Sequence, residues 1–477
     1  MMSMYSKTEM EFKVFNDSVH GHMAMHPLCV KIIDTLEFQR LRNIKQVGAT
    51  YFVYPGAAHN RFEHSLGVCY LAGELVEALK KNQPFLKINE EDKLCVQIAG
   101  LCHDLGHGPY SHLWEHFLRM KGENWNHEDQ SVIMFNHLIE RNRLISDFES
   151  YGLYKRERKF ITELILGEGT SCDEEKQFLF QIVCNKTNSV DVDKWDYLLR
   201  DGLHLNLKVS FDYQRLLKFC KVIEKKKDGK KTLHIGFRSK EAYNIYEMFL
   251  VRSSLHYRAY QHRISLVLNQ MLVDAFLAAD DFLSLKLDAN TEYKLSQAHK
   301  NPLIWAKVTD HIFYDILWSY SDELAAAKEI LNEILSRNLY KHVASQNIVP
   351  SDLLRKQNAN WMSSLQKGLE RELNRGICCG NNCNRFIVLF SSFYLGSKCP
   401  DPFRHVYFYN KNNPEIAEER DWREISLYPI CKETGHHVDV HLFDKNRGDN
   451  KAEQAEAKSL FEKYISSFMN GGAENGS

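Results

Sequence analysis

The sequence predicts a mostly α-helical core followed by a smaller α+β lobe at the C-terminal end. Helical periodicity dominates as far as about Asn338, whereas after about Val349 runs of Phe, Ile, Val and Tyr take over. A third sign is chemical: histidines and aspartates fall near helix ends or on inward helix faces, where burial without a partner is costly. On these grounds residues 1–12 are expected to form a flexible N-terminus and 13–345 the helical domain. Residues 346–468 would form the α+β lobe and 469–477 a disordered tail.

Residues 63–81 read as an amphipathic helix, because Val68, Leu71, Leu75 and Leu79 recur on one face. Asn89 with Asp92 resembles a helix N-cap, and Leu94, Ile98 and Leu101 carry that helix into the glycine-containing segment 105–109. Long helices also fit 193–201, 240–280 and 303–337. Asp228-Gly229, with an alternating Leu233-His234-Ile235 beyond it, signals a hairpin within 221–237. The flanking Lys225-Lys226-Lys227 is read as a solvated turn in preference to a targeting or nucleic-acid patch. In the lobe, 385–394, 405–409 and 438–443 read as strands and 451–468 as a closing helix.

A formal charge of −1 provides no global field to attract nucleic acid or membrane. No apolar run reaches the roughly 18 residues of a membrane span, and residues 1–13 lack the apolar stretch of a secretory signal. Twelve cysteines are thinly spread, and Cys69, Cys95 and Cys102 lie inside apolar helices. That usage fits reduced thiols and an intracellular location, cytoplasmic or nuclear.

The chemistry-bearing residues begin with His59-Asn60-Arg61-Phe62-Glu63-His64 and continue with His103-Asp104-Leu105-Gly106-His107-Gly108, His112 and Asp191-Val192-Asp193-Lys194. Imidazoles and carboxylates together suit a divalent transition metal, and such a set with open positions suits hydrolysis. Each has a plainer reading when taken singly. His64 lies one turn before Val68 and points inward, as many hydrogen-bonded core histidines do; Asp193 is an ordinary helix-start acid. Together these plain readings are strained, because several ionisable groups would be buried without compensation. Asp193, Tyr197 and Asp201 share a helix face, and Arg252, His256 and Tyr260 repeat the interval on a later helix. Such faces make poor core but good walls for a polyphosphate and a sugar, although ion-paired helices would look the same.

His64, His103-Asp104 and Asp193 match the H…HD…D signature of the HD-domain phosphohydrolases. Lys13-Val14-Phe15-Asn16-Asp17 and the segments 38–47, 59–67, 96–109 and 190–197 extend the resemblance to the vertebrate SAM- and HD-domain-containing deoxynucleoside triphosphate triphosphohydrolases. It runs nearly unbroken over 13–345 and is patchier beyond, as at 386–409. The resemblance implies a helical HD-domain phosphohydrolase core that cleaves dNTPs to deoxynucleoside and inorganic triphosphate. It implies that His64, His103, Asp104 and Asp193 hold one iron- or zinc-class metal, with Mg²⁺ accompanying the nucleotides. By the same correspondence His112 protonates the leaving 5′ oxygen, and His127, in Trp125-Asn126-His127-Glu128, is an active-site histidine. Arg61, His107, Lys194 and Arg252 would contact phosphates. Gln46, Val47, Tyr197, Asp201, Tyr260 and Gln261 would face the sugar, with Tyr260 as a gate against a 2′-hydroxyl.

Regulation is implied as well. A guanine nucleotide would bind at Lys13, Val14, Asp34, Gln39, Arg42, Arg337 and Lys341. A dNTP would bind at Asn16, Val53, Lys221, Arg238, Lys240, Asn244, His262 and Arg263, with Lys398 near the junction. Both ligands would stabilise a homotetramer by preferring it. The sequence departs from the pattern at Val47 (a leucine in the family), Lys221 (an arginine) and Glu115 (an aspartate). The SAM domain and the usual nuclear-targeting segment have no counterpart, so cytoplasm and nucleus both stay open. Cys378-Cys379-Gly380-Asn381-Asn382-Cys383 is read as a reduced loop in preference to a zinc cluster with His436-His437. Two rival readings are another HD-type nucleotidase or phosphodiesterase, and an antiviral module with weak single-stranded nucleic-acid binding.

Overall fold

The computed structural model describes residues 12–227, 230–348, 360–377, 384–396, 401–426, 436–446 and 450–469. Lys398, Cys378, Cys379, Cys383, the tail beyond 469 and nearly all of the expected flexible N-terminus lie outside the described residues.

The described chain begins with an antiparallel hairpin, β1 (Lys13–Asp17) and β2 (Gly21–Met25), in a region where the periodicity points to helices. Its period is two: Met23 and Met25 are buried while His22 and Ala24 are exposed, and Gly21 supplies the φ of +71° that closes the turn. Helix α1 (Pro27–Ile33) follows, with proline in its first turn and His26 Nδ1 accepting from the Leu28 amide at 3.1 Å.

That cap makes a pH prediction. Burial first, then the charge of Lys93, lowers the His26 pKa to about 4. The folded state therefore binds fewer protons than the unfolded state between about pH 4 and 6.5, so stability is held above that window and lost as pH falls through it. His26→Asn can cap without titrating. The variant is expected to flatten the urea-measured stability between pH 7 and 4.5 by about 1 kcal/mol, a figure reduced for the partial exposure of the ring. Parallel loss in both proteins would clear His26 as the source.

Helices α2 (Arg61–Asn82) and α3 (Glu90–Cys102) both start in capping boxes, Asn60 with Glu63 and Asn89 with Asp92, so the N-cap read at Asn89 is present. They pack closely because Gly100 has no side chain: a Cβ there would meet the Val68 carbonyl at 3.1 Å. Around them lie α4 (His112–Met120), α5 (His127–Arg141), α6 (Lys155–Leu166) and α7 (Val192–His204). Trp114, Trp195 and Trp305 are among the largest fully buried side chains of this core. Two strands pair where the hairpin is expected, β3 (Cys220–Lys227) and β4 (Lys230–Arg238), with Lys227 opposite Lys230, while Asp228 and Gly229 themselves lie outside the described residues.

Two expected long helices are broken. The 240–280 stretch is α8 (Ala242–Leu255), a π-helical turn at His256–Tyr260, and α9 (Arg263–Ala279). The Gln261 amide bonds the His256 carbonyl, and His262 Nδ1 caps α9, so the chain restarts where periodicity alone saw continuity. The 303–337 stretch holds short helices at Pro302–Trp305 and Ile312–Leu317 before α10 (Ala325–Leu335). Polar residues divide them: the Asp310 carboxylate is drawn into backbone bonds, and the Ser321 hydroxyl caps the next turn.

Beyond α10, β5 (Lys341–Asn347), β6 (Phe386–Tyr394) and β8 (His436–Asp444) form an antiparallel sheet in the order β5-β8-β6. Helices α11 (Trp361–Gly376) and α12 (Lys451–Met469) cover it, and Leu369, Val388, Val440 and Phe461 are buried in a second apolar cluster. The segment 401–426 instead joins the main core through Phe403, Val406, Phe408 and Trp422. Its strand β7 (Tyr407–Tyr409) lies parallel to β4 and is shorter than the 405–409 expected, because His405 turns at a φ of +62°. Cys29, Cys69, Cys95, Cys102 and Cys220 are free and buried, as reduced thiols should be. Among the described residues no helix is long and apolar enough to cross a membrane.

Candidate active site

Three helix ends meet at one point. His64 lies in the first turn of α2, His103 ends α3 with Asp104 beside it, and Asp193 lies in the first turn of α7. His64 Nε2 is 3.1 Å and His103 Nε2 3.4 Å from Asp193 Oδ1. Asp104 closes the group, its Oδ2 3.5 Å from His64 Nε2 and its Oδ1 3.4 Å from His103 Nε2. The other ring nitrogens are committed: His64 Nδ1 bonds Asp196 Oδ2 at 2.7 Å and His103 Nδ1 bonds the Gly100 carbonyl at 2.8 Å.

Whether these residues fit a metal follows from those bonds. A carbonyl only accepts, so His103 carries its proton on Nδ1 and turns the Nε2 lone pair to the centre. Both buried Nε2 atoms lack a hydrogen-bonding partner although a carboxylate oxygen stands within 3.4 Å. Such an arrangement needs positive charge between its members. A proton serves one nitrogen. Burial opposes it, yet pairing with Asp193 and Asp196 and the charge of Asp104 raise the His64 pKa to about 10. A divalent ion serves both nitrogens and both carboxylates, and its binding would release that proton. The two rings stand at 71°, and the ligand atoms of His64, His103 and Asp193 all lie within 4.8 Å of one another. The site fits a transition metal.

The loop after His103 is fixed from outside. Buried Arg40 donates to the carbonyls of Leu105 (3.3 Å), His107 (2.8 Å) and Val308 (2.9 Å). Gly106 leaves room for α5, since a Cβ would fall 2.2 Å from the His127 carbonyl. Arg61, expected on phosphate, is buried and donates to Asp104 Oδ2 (2.7 Å), Ser111 Oγ (3.0 Å) and the Gln46 carbonyl (3.2 Å). Burial works against an ionised Asp104, but Arg61, His103 and His107 hold its carboxyl well below the usual range.

Beside this centre stand His107, His112, Glu115 and His127. His107 stacks on His127, centroids 3.9 Å apart and planes at 19°, and His112 is set edge-on to both. Glu115 Oε1 pairs with His127 Nδ1 at 2.6 Å and His112 Nδ1 at 3.2 Å. Burial pushes against it, but the two imidazoles hold the Glu115 carboxyl far below its ordinary range. These groups could suggest a second ion. A metal lies in the plane of its imidazole ligand, however, and the near-parallel planes of His107 and His127 share no such point. What the set offers on this geometry is a row of imidazoles sharing one carboxylate. His107 stays neutral, lowered by burial and then by Arg61 and His127.

His112 is delivered by a strained strap. Tyr110 and Ser111 have φ of +56° and +59°, conformations that bulky residues rarely adopt. The Tyr110 amide donates to Asp310 Oδ1 at 2.6 Å, and Ser111 Oγ donates to the Lys45 carbonyl at 2.7 Å while accepting from Arg61. Burial pushes the Asp310 pKa up to about 6.

The expected sugar wall is assembled on Asp201. Its carboxylate accepts from the Tyr260 hydroxyl and pairs with His59 Nε2 at 2.6 Å, and His59 stacks on His204. Gln46 is buried with Oε1 unpartnered, Val47 and Tyr197 are half-buried, and Lys194 pairs with Asp191 at 3.2 Å. Arg252 and Gln261 meet the far lobe: Arg252 donates to the Tyr394 carbonyl at 3.0 Å and Gln261 to that of Ser392 at 3.1 Å, both on β6. Sequence reasoning missed Arg40, Ser111, Asp310 and Asp196, and it read 385–394 as a strand without bringing it to the site. Only Asp196, one turn beyond Asp193, left a signal that helical spacing could have found.

The residues expected to bind effectors sit on other elements. Lys13, Val14 and Asn16 are exposed on β1, Asp34 ends α1, and Arg42 donates to Gln39. Arg337 donates to the Phe52 carbonyl beside Val53, and Lys341 opens β5. Lys240 and Arg238 lie over the Phe219 ring, at 3.8 and 5.7 Å, and Lys221 lies over Tyr409 at 5.3 Å. Asn244 bonds Asp212, His262 caps α9, and Arg263 is exposed beside it.

Comparison with known proteins agrees with this geometry. The HD domain family matches residues 61–201, the span from Arg61 to Asp201 that holds all four converging side chains. The chain is 44% identical over 434 residues to deoxynucleoside triphosphate triphosphohydrolase SAMHD1 of Gallus gallus, covering 87% of this chain and 69% of that protein. For the Bos taurus protein of the same name the figures are 45% over 425 residues, 84% and 70%. For that of Danio rerio they are 42% over 431 residues, 87% and 68%. A metal-fitting H…HD…D centre inside so long a match leaves one assignment: the chain belongs to the SAMHD1 family of deoxynucleoside triphosphate triphosphohydrolases.

Proposed function

We propose that this chain hydrolyses deoxynucleoside triphosphates to deoxynucleoside and inorganic triphosphate. The observation that carries the reading is the pair of unpartnered Nε2 atoms of His64 and His103 aimed at Asp193, next to a proton-handling histidine set. His64, His103, Asp104 and Asp193 would hold an iron- or zinc-class ion. When bound, it supplies Lewis-acid polarisation of a phosphoryl oxygen. Water adds to the α-phosphorus, the bond to O5′ breaks, and the departing O5′ needs a proton. His112 would deliver that proton, with Glu115 holding the ring and His127 beside it. Lys194 and Arg252 would bring positive charge toward the triphosphate, and Mg²⁺ would supply further charge neutralisation there. The Tyr260–Asp201 pair would lie against the sugar, where a 2′-hydroxyl finds the tyrosine.

Activation by a guanine nucleotide and a dNTP, bound between subunits of a homotetramer, belongs to the same reading. It is supported by Lys221, Arg238 and Lys240, which lie over aromatic rings and have no carboxylate partner among the described residues. The test is incubation of the metal-loaded chain with dGTP, Mg²⁺ and GTP, followed by chromatography. Deoxyguanosine and triphosphate in equal amounts are expected. A monophosphate or inorganic phosphate would point to a nucleotidase or phosphodiesterase, and intact dGTP would defeat the reading.

A further inference from the structure

Behind His64 lies a buried polar network that the proposed reaction does not use. Asp196 Oδ2 pairs with His64 Nδ1 at 2.7 Å, and Asp196 Oδ1 pairs with His20 Nε2 at 2.7 Å. Arg200, one turn further along α7, grips the same carboxylate with Nε at 2.9 Å and Nη2 at 2.8 Å. Its remaining reach goes to Asp17, Nη1 to Oδ2 at 2.8 Å, and Asp17 Oδ1 accepts the amides of Val19 and His20 at 2.9 Å each. The side chains of His20, Asp196 and Arg200 are fully buried and that of Asp17 is 5% exposed. Asp17 ends β1 and His20 lies in the turn to β2, so the network runs from the N-terminal hairpin to the metal-facing histidine. Gly67 makes room for it: a Cβ there would fall 1.9 Å from Asp196 Oδ1 and 2.7 Å from Arg200 Nη2.

We propose that Asp196 is a positioning residue that fixes His64 with its proton on Nδ1 and its Nε2 lone pair on the metal, and that the β1–β2 hairpin anchors Asp196 through Asp17, Arg200 and His20. The inference rests on the metal-site reading of His64. Its physical basis is the carboxylate–imidazole pair, which sets tautomer and ring orientation and raises the basicity of the ligating nitrogen. A lone aspartate behind His64 would do that locally. Here the carboxylate is shared among two imidazoles and a guanidinium whose other arm holds the hairpin, so a shift of the hairpin changes the share left to His64. Lys13, Val14 and Asn16, the proposed effector residues, sit on that hairpin. Seating an effector there would tighten the metal site without touching it.

The test is Co²⁺ titration of the full apo chain, read by the visible ligand-field bands and by competition with a chelator, alongside thermal melts. Asp196→Asn is expected to bind Co²⁺ about 10- to 100-fold more weakly, with shifted bands. Asp17→Asn touches no metal ligand and is expected to weaken binding about threefold to tenfold, in the same direction. Wild-type affinity and bands in a folded Asp196→Asn would overturn the positioning role. Should that variant not fold, Asp17→Asn decides, and wild-type affinity there overturns the hairpin link. Failure of the wild-type chain itself to take up Co²⁺ would instead remove the metal site, and the inference with it.

Discussion

Asp193→Asn is expected to empty the metal site and to lower turnover by about a thousandfold or more while leaving the fold standing. Asp193 Oδ1 is the atom that both unpartnered imidazole nitrogens approach, so it would contribute the central oxygen of the proposed ligand set. Burial disfavours its charge, yet His103 and His64 hold its carboxyl far below the ordinary range. An amide keeps the shape and removes the anion that draws a cation between two imidazoles. The helix start survives because its N-cap is Asp191, whose Oδ1 accepts the Lys194 amide at 3.1 Å. What α7 loses is a first-turn acid, worth about 0.3–1 kcal/mol. Metal content by mass spectrometry, product chromatography and circular dichroism separate these effects. A folded variant with full metal and full turnover would take Asp193 out of the ligand set.

How much of this was legible beforehand depended on whether the signal was local. His64 declared its inward face through Val68, Leu71 and Leu75, and Asp193, Tyr197 and Asp201 declared theirs through spacing. Both statements survive in the structure, as does the antiparallel pairing of β3 with β4. Spacing along a helix says which residues share a face and nothing about what stands opposite. Hence Arg61, which the family resemblance places on phosphate, spends three donors on Asp104, Ser111 and the Gln46 carbonyl. Arg252 and Gln261 bond a strand more than a hundred residues later, a pairing no window of sequence contains. The break at Gln261-His262 was invisible for another reason. A π-turn inserts one residue into an unbroken apolar pattern, so composition stays helical while direction changes. Tyr260, the last residue of that turn, donates its hydroxyl to Asp201.

The strap at Tyr110-Ser111 leads to the second large effect, which falls on proton delivery and not on the metal. His112→Gln is expected to lower kcat by about 10²- to 10⁴-fold, with KM and metal content close to wild type. The His112 side chain is 69% exposed and contributes no nitrogen to the His64–His103–Asp193 group, so its loss opens no cavity and frees no ligand. Its position is nevertheless costly to arrange: two consecutive left-handed residues are held by Asp310, Lys45 and Arg61 to present this one ring. Strain of that kind persists where the surroundings enforce it, and here they enforce the direction of an imidazole. Glu115→Gln attacks the same function from the side, since one carboxylate oxygen serves both His112 and His127. Turnover should fall by about 10- to 100-fold without loss of metal. Glu115→Asp is the sharper comparison, because a chain one methylene shorter cannot keep both contacts unless the helix shifts. If proton delivery is shared between the two histidines through Glu115, the aspartate variant falls between wild type and Glu115→Gln. A His112→Gln enzyme with undiminished kcat would mean that the departing oxygen takes its proton from elsewhere, and the strap would then be holding a bystander.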